Sequence, residues 1–244
     1  MTLSLSDAER DQLTFERALT YQARYGQLGA ESALRLAIRE LFPGRIALVS
    51  SFGAESAVLL DMVARIEPTT PVIFLDTGKH FGETLRYRDK LVARLGLTDL
   101  RDVKPDAEAL AREDADGLLF DRDPDRCCAL RKVAPLKAAL AGFEAWITGR
   151  KAFQAATRAG LPLFESDGQR VKVNPLRHWT PAFVADHFAR HGLPRHPLEA
   201  QGFRSIGCFT CTARSAPEAD PRAGRWAGIA KTECGIHSGM SRQG

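Results

Sequence analysis

Short runs of apolar residues alternate along this chain with longer segments of mixed character. The predicted β-strands are apolar runs at 46–49, 72–75 and 145–148, with a weaker strand at 100–103. Helices are predicted in the segments that separate them, at 58–66, 83–95 and 130–140. Strands that alternate with helices at this spacing are typical of a parallel, doubly wound α/β sheet.

The two ends of the chain follow a different pattern. Ser6 and Glu9 form a capping box that predicts a first helix. Apolar residues at 34, 37, 38 and 41 predict a second helix, which stops at Pro43. Thr180 followed by Pro181 predicts the start of another helix, which runs to about residue 191. Segment 171–173 is predicted as an edge strand, and the chain after residue 193 as loop-rich.

Length and charge narrow the class of protein. The chain has 244 residues, of which 44% are hydrophobic, so it can bury a substantial core. Its formal net charge of +4 fits an anionic small molecule but is too small to indicate nucleic acid. The N-terminus lacks the apolar segment of a signal peptide, and no stretch of 18 apolar residues exists. We therefore expect a cytoplasmic protein that crosses no membrane and keeps its thiols reduced.

Two loops follow the first two predicted strands. Residues 50–56 read Ser-Ser-Phe-Gly-Ala-Glu-Ser, and a Ser/Gly loop before a helix can present backbone N–H groups to an anion. Asp76, Thr77 and Gly78 follow the second strand, where Asp76 and Thr77 could bind a base or a sugar. Ligands of parallel sheets bind at the carboxyl ends of the strands. Each loop alone is equally well an ordinary turn, but together they predict a nucleotide crevice.

Four of the five cysteines form two pairs. The adjacent Cys127 and Cys128 precede Cys208 and Cys211, which have C-x-x-C spacing. Zinc is the usual occupant when two C-x-x-C pairs face each other. Adjacent side chains diverge, however, which favours a larger four-iron cluster over a single tetrahedral ion. Two structural cysteines beside an unrelated C-x-x-C remain the alternative.

The fifth cysteine, Cys234, is a candidate nucleophile near the end of the chain. A cysteine reacts as its thiolate, and cations such as Lys231 and His237 would favour that form. Further cations that could bind sulfate or phosphate are scattered nearby in sequence, at Lys151, Arg158, Arg214, Arg222 and Arg225. A solvated surface explains any one of them equally well.

Taken together, these motifs resemble the assimilatory adenylyl-sulfate/phosphoadenylyl-sulfate reductase family. The resemblance runs from about residue 45 to residue 238. Its motifs are Ser-Phe-Gly-Ala-Glu at 51–55, Leu-Asp-Thr-Gly at 75–78, Cys-Cys at 127–128 with Arg-Lys at 131–132, Gly-Cys-x-x-Cys at 207–211, Arg-x-Gly-Arg-Trp at 222–226 and Glu-Cys-Gly-Ile-His at 233–237. The combination is far more specific than any one motif.

The resemblance implies a fold, a cofactor and a reaction. The fold is an α/β, Rossmann-like nucleotide α-hydrolase (ATP pyrophosphatase-like) fold with a parallel sheet. Members with both cysteine pairs bind a [4Fe–4S] cluster and reduce adenosine 5′-phosphosulfate, so Cys127, Cys128, Cys208 and Cys211 become its expected ligands. Cys234 matches the family's nucleophile, which forms an S-sulfocysteine. Thioredoxin, or a glutaredoxin-like dithiol donor, then releases sulfite.

The resemblance also implies which residues of this chain contact the substrate, because they occupy the matching motif positions. Lys132, Arg158, Arg222 and Arg225 are expected at the sulfate and phosphate. Ser51 and Gly53 match the phosphosulfate loop. Leu75 and Thr77 match adenosine contacts, and His237 matches a substrate-site position of unassigned role.

Two positions depart from the family pattern. The 150–157 loop keeps Gln154 but has Ala155 where a serine is common, which leaves that loop's contacts in doubt. Gly82 stands where proline is usual and should only loosen a turn.

We predict two parts of the chain: a nucleotide-binding domain at 1–200 with N-terminal helices, and a segment at 201–244 that carries the C-x-x-C and a mobile catalytic tail.

Several alternative functions stay open at this point. The same chemistry could act on 3′-phosphoadenosine 5′-phosphosulfate. A tRNA-thiolating ATP pyrophosphatase shares the fold, but would need a Ser-Gly-Gly-x-Asp-Ser loop in place of residues 51–56. A zinc-stabilised binding module is the non-enzymatic alternative, and a homo-oligomer is compatible with each.

Overall fold

A computed structural model of the chain describes residues 6–154, 158, 160–216, 220, 222–226, 228, 231 and 233–237. In this part of the chain the helices are α1 (Asp7–Tyr25), α2 (Ala30–Leu36), α3 (Ser56–Ile66), α4 (Gly82–Leu95), α5 (Ala107–Glu113), α6 (Leu119–Arg122), α7 (Pro124–Cys128), α8 (Ala134–Ala139) and α9 (Pro181–Arg190). The strands are β1 (Ile46–Val49), β2 (Val72–Leu75), β3 (Leu100–Val103), β4 (Ala145–Ile147), β5 (Phe164–Ser166) and β6 (Val171–Val173). Ala155 and parts of the predicted tail lie outside the described residues.

The strands of the described residues form one sheet in the order β3-β2-β1-β4-β6-β5. All neighbouring strands pair in parallel except β5, which is antiparallel to β6. The predicted parallel α/β class is confirmed. The prediction of an edge strand at Val171–Val173 is wrong, because this segment lies between β4 and β5. The true edge, Phe164–Ser166, has only three residues and gives no apolar run in the sequence.

Alternate residues of the central strands point to opposite faces of the sheet. On one face, Ile46, Leu48 and Phe74 join the large core that contains the buried sides of α2, α3 and α9. On the other face, the smaller core holds Ala47, Trp146 and residues of α8. Helices therefore cover both faces, which explains why the strands are continuously apolar.

The helix that carries the tandem cysteines contains a π-helical turn. α7 ends at Cys128, the π-helical turn spans Ala129–Val133, and α8 continues from Ala134. Asp123 caps the start of α7 by accepting a hydrogen bond from the backbone N–H of Arg126 at 2.9 Å. A π-turn inserts an additional residue into a helix. It thereby changes the direction in which Lys132 leaves the helix after the cysteines.

The loop after β1 contains a residue in the left-handed region. Phe52 has a φ of 49° and is fully buried. Its ring contacts the edge of Phe74, with the centroids 5.6 Å apart. For a residue with a Cβ this conformation is unfavourable, so burial of the ring must compensate for it.

Strand order reverses between β1 and β4. The chain runs outward from β1 to β2 and β3 on one side, and β4 lies on the other side of β1. At such a switch point the loops diverge from the carboxyl ends of the two strands and leave a crevice. None of the helices in the described residues is both long and apolar enough to cross a bilayer.

Candidate active site

A cavity of about 250 Å³ opens at this switch point. Its walls include the ends of β1 and β4, the loop after β1, and residues of the C-terminal segment. The predicted site residues that line it are Ser51, Gly53, Leu75, Lys132, Arg158, Cys208, Arg222, Arg225, Cys234 and His237. Residues from five separate parts of the chain thus meet in one place.

The loop after β1 is packed closely against the C-terminal segment. A Cβ atom on Gly53 would lie 3.0 Å from the carbonyl oxygen of Ile206, so a larger residue would push the two segments apart. Further along the loop, Glu55 accepts hydrogen bonds from Lys151 Nζ and Gln154 Nε2, each at 2.9 Å. The predicted departure in the 150–157 loop therefore leaves Gln154 as a support for this wall.

Thr77 is placed differently from the other predicted adenosine residue. Leu75 lines the cavity, whereas Thr77 is fully buried and does not. The Thr77 hydroxyl lies 3.3 Å from the sulfur of Cys208, and its carbonyl accepts a hydrogen bond from Arg131 at 2.7 Å. We therefore infer that its side chain supports the cysteine set, while its adenosine contact stays a prediction.

Lys132 stands between the paired cysteines and the cavity. Burial alone would lower the pKa of its ammonium group, but the negative charges of Cys208, Cys234 and Cys128 hold this pKa above its ordinary value. Arg131, its neighbour, turns away and forms a buried ion pair with Asp114. Of the two adjacent cations, only Lys132 lines the cavity.

Arg225 is the second cation beside Cys234. Its Nε atom donates a hydrogen bond to the carbonyl of Cys211 at 3.2 Å, and its guanidinium carbon lies 4.6 Å from the Trp226 ring centroid. Burial lowers the pKa of this guanidinium, and the nearby charge of Arg222 lowers it further. A charge with so little solvent around it interacts strongly with an anion that enters. Gly207 leaves room for it, since a Cβ there would lie 2.4 Å from Arg225 Nη2.

Glu233, the residue before Cys234, is held by two arginines. Its Oε1 atom accepts hydrogen bonds from Arg158 Nε at 2.9 Å and Arg158 Nη2 at 2.6 Å. Its Oε2 atom lies 3.5 Å from Arg222 Nη2. Burial lowers the pKa of Arg158, and the charge of Glu233 opposes that change. These contacts fix the backbone on one side of Cys234.

His237 and Ile236 fix the other side. The His237 imidazole stacks on Trp146, with the centroids 5.7 Å apart and the planes at 4°. Ile236 packs on the smaller core. Burial lowers the pKa of His237 well below its usual value, and Arg150 and Lys172 lower it further. The imidazole is therefore neutral at pH 7, and its buried Nδ1 atom has no hydrogen-bond partner among the described residues.

Lys231 does not face Cys234 as a free cation. Its Nζ atom forms an ion pair with Asp125 and lies 5.7 Å from the centroid of Trp226. The sequence also predicted Lys132, Arg158 and Arg225 at the site, and these three cations are electrostatically coupled to Cys234. The residues that it missed are Glu233 as the partner of Arg158, and Trp146 as the partner of His237.

The four paired cysteines come together beside the cavity, and none forms a disulfide. Burial raises the pKa of Cys127, and the charges of Cys208 and Cys211 contribute to that increase. Burial likewise raises the pKa of Cys128 to about 11. Three of the four thiols are buried, those of Cys127, Cys128 and Cys208. Electrostatically coupled thiolates in such surroundings repel one another, so a bound cation would relieve their repulsion.

The spacing of these thiols distinguishes between two kinds of metal centre. Among the described residues, three His, Cys or carboxylate ligand atoms lie within 4.8 Å of one another only at Asp61, His187 and His191, so no three cysteine sulfurs do so. A single zinc ion would hold its sulfurs roughly 3.8 Å apart, given Zn–S bonds of about 2.3 Å in a tetrahedron. The four sulfurs are spread more widely than that. A cluster with several metal corners fits this donor set better than one zinc ion.

Known proteins share both the sequence and the fold. Residues 45–214 match the family described as the phosphoadenosine phosphosulfate reductase domain. An adenosine 5′-phosphosulfate reductase of Mesorhizobium japonicum is 56% identical over 221 residues, which cover 91% of this chain and 87% of that protein. A phosphoadenosine 5′-phosphosulfate reductase of Gloeobacter violaceus is 43% identical over 234 residues, with coverages of 93% and 95%.

A solved structure supports the same assignment. The phosphoadenylyl-sulfate reductase of Candida auris, crystallised as a phosphate complex, superposes with a TM-score of 0.69 at 28% identity. The matched region covers 87% of this chain and 100% of the Candida auris chain. The predicted fold class and the family resemblance are both confirmed. The chain belongs to the phosphoadenosine phosphosulfate reductase domain family.

Proposed function

We propose that this protein reduces adenosine 5′-phosphosulfate to sulfite and AMP in assimilatory sulfate reduction. The observation that carries the proposal is that Cys234 lines the same cavity as Lys132, Arg225 and the loop after β1. The relatives named adenosine 5′-phosphosulfate reductase support this substrate. Thioredoxin, or a similar dithiol donor, supplies the electrons.

In the first step the Cys234 thiolate attacks the sulfur atom of the sulfate group. A bond forms between Cys234 Sγ and that sulfur, and the bond from sulfur to the bridging phosphate oxygen breaks. AMP leaves with the electron pair of the broken bond, and Cys234 becomes an S-sulfocysteine. The reaction joins two anions, so it requires cations around the sulfonyl oxygens, where negative charge must be stabilised.

The arginines and Lys132 supply that positive charge. Lys132 and Arg225 are both electrostatically coupled to Cys234, so they lie within its field. Arg222 lines the same cavity and would bind the phosphate. Positioning contributes as well, since Glu233 and His237 hold the backbone on either side of the nucleophile.

In the second step one thiolate of the donor attacks Cys234 Sγ. Sulfite leaves with the electron pair of the S–S bond, and a mixed disulfide remains. The second thiol of the donor attacks its own disulfide-bonded sulfur, which regenerates the Cys234 thiolate. The dithiol is oxidised to a disulfide, and sulfur passes from the sulfate to the sulfite oxidation state.

Cys127, Cys128, Cys208 and Cys211 would hold a [4Fe–4S] cluster. Bound there, it would supply a fixed charge distribution beside the anion site. Lys132 connects the two regions, because its charge is coupled both to cysteines of the set and to Cys234.

Mass spectrometry of the purified protein tests the proposal. Mixed with adenosine 5′-phosphosulfate in the absence of a reductant, the protein should gain one SO₃ group on Cys234. Reduced thioredoxin should then remove this group and release sulfite. A peptide map in which Cys234 stays unmodified would overturn the mechanism. Faster modification by the 3′-phosphorylated nucleotide would retain the chemistry but change the assigned substrate.

A further inference from the structure

Outside the cavity, two helices bring three metal-binding side chains together. Asp61 lies on α3, and His187 and His191 lie four residues apart at the end of α9. One ligand atom from each lies within 4.8 Å of the other two, and they form the only such group among the described residues. Asp61 and His187 are 126 residues apart in sequence.

The distances between the side chains are close to those between the ligands of a bound cation. Asp61 Oδ2 lies 2.8 Å from His187 Nε2 and 3.8 Å from His191 Nδ1. The two imidazole rings face each other, with centroids 4.2 Å apart. Zinc–nitrogen and zinc–oxygen bonds of about 2.0–2.2 Å place neighbouring ligands roughly 3.3 Å apart in a tetrahedron. The two distances from Asp61 Oδ2 each differ from that spacing by about 0.5 Å.

The three side chains differ in their exposure to solvent. The side chains of Asp61 and His187 are each 8% exposed, whereas His191 is 30% exposed. A cation could therefore enter past His191 and keep a water molecule on its outer side. Two imidazoles, one carboxylate and one open position are a donor set that zinc and other divalent transition metals accept.

We propose that Asp61, His187 and His191 form a binding site for a divalent transition-metal cation such as Zn²⁺. The bound ion links α9 to α3. The site is separate from the cysteine set. Because α3 begins directly after the loop that lines the cavity, the bound ion would stiffen the scaffold behind that loop without touching the substrate.

Arg65 competes with the cation for Asp61. Its Nε atom lies 3.1 Å from Asp61 Oδ2, and its side chain is 40% exposed. At this end of α9, Arg190 and Asp186 form an ion pair with each other, and Arg94 donates a hydrogen bond to the carbonyl of Gly192 at 2.9 Å. Bound metal must therefore displace Arg65 into the solvent. Removal of Arg65 should strengthen metal binding, which a purely hydrogen-bonded role of the three residues would not produce.

The experiment counts zinc in the complete, cluster-loaded protein. Wild-type protein, dialysed against buffered Zn²⁺ and freed of excess ion, is analysed for zinc and iron together. His191→Gln and His187→Gln remove one ligand each, and His178→Gln is the matched control, because His178 is exposed and lies outside the site. The thermal midpoint of each variant is measured with and without Zn²⁺.

The expected result is one zinc per chain that is present in wild-type and His178→Gln protein and lost in His191→Gln and His187→Gln. Zinc should raise the thermal midpoint only where it binds, and Arg65→Ala should bind it more tightly than wild type. Zinc bound by the cysteines instead of the proposed site would still be present in His191→Gln protein, so the zinc content of this variant distinguishes the two locations. Equal zinc content in wild-type and His191→Gln protein, or none in wild type, would overturn the proposal. Sulfite production does not enter the test, so its outcome is independent of the proposed function.

Discussion

Arg158 binds the carboxylate of Glu233 through two hydrogen bonds to one oxygen, with Nε at 2.9 Å and Nη2 at 2.6 Å from Oε1. Glu233 directly precedes Cys234, the proposed nucleophile. An ion pair that belongs to neither the loop after β1 nor the cysteine set therefore holds the reactive thiol in the cavity. The strength of this pair should set how often the thiol is in position.

Glu233→Gln should slow the transfer of the SO₃ group to Cys234. The amide keeps the shape of the carboxylate and can still accept from Arg158, but it lacks the negative charge that pairs with the guanidinium, a loss of about 1–1.5 kcal/mol or roughly tenfold in rate. Single-turnover mass spectrometry with adenosine 5′-phosphosulfate measures that rate. Glu31→Gln, which changes an exposed carboxylate on α2, is the control. An unchanged rate in Glu233→Gln would show that the pair does not position the thiol.

Cys211→Ala should lose the bound metal, because it removes one of the four ligands. Iron should fall from about four atoms per chain toward none. Cys234→Ala should retain the iron and lose sulfite production, since Cys234 stands outside the ligand set. Iron and acid-labile sulfide analysis, together with the sulfite assay, separates the two variants. Full iron content in Cys211→Ala would contradict the assignment of that ligand.

His237→Ala should impair SO₃ transfer through loss of the stack on Trp146. Aromatic pairs of this kind contribute about 0.5–1.5 kcal/mol, so the rate should fall by up to about tenfold. His237→Phe preserves a stacking ring and should stay within about threefold of wild type. If His237→Phe were as slow as His237→Ala, the unpartnered Nδ1 atom rather than the stack would be the important feature.

Acid should destabilise the protein through His196. Its Nδ1 atom accepts a hydrogen bond from the backbone N–H of Leu198 at 3.2 Å, and its Nε2 atom lies 3.1 Å from the Thr84 hydroxyl. Burial lowers the pKa of this imidazole from 6.5 to about 4. Between these two values the unfolded chain binds a proton that the folded one does not, so stability is lost as the pH falls from about 6.5 to about 4.

The expected loss from this one group is about 2–3 kcal/mol. Denaturant unfolding of wild-type and His196→Gln protein across this pH range measures it. The free energy of unfolding should fall less steeply in His196→Gln, which has no proton to bind. Parallel pH curves for the two proteins would show that His196 does not titrate in this window.

The sequence was most informative where local pattern determines structure. β1, β2 and β4 are continuously apolar because both faces of the sheet are covered, and their ends mark the cavity. The prediction that β6 lies at the edge is wrong, because the three residues of this strand contain no information about the two strands that flank it. The same limit applies to Thr77, whose contact with Cys208 joins residues 131 positions apart.

Residue type and spacing indicated the candidate reactive and metal-binding residues, but not the residues that they contact in the folded protein. Cys234 and the paired cysteines were identified from their spacing and motifs alone. The group of Asp61, His187 and His191 gave no signal, because its members come from two helices that meet only in the folded chain. Ion pairs such as Lys231 with Asp125 were hidden for the same reason.

The left-handed conformation of Phe52 has a consequence for ligand affinity. The ring is buried at the centre of the core, so the loop from Ser50 to Gly53 adopts its shape when the protein folds. The conformational entropy of this loop is then lost during folding rather than on binding. An incoming nucleotide meets a preorganised cradle, and more of its contact energy remains available as affinity.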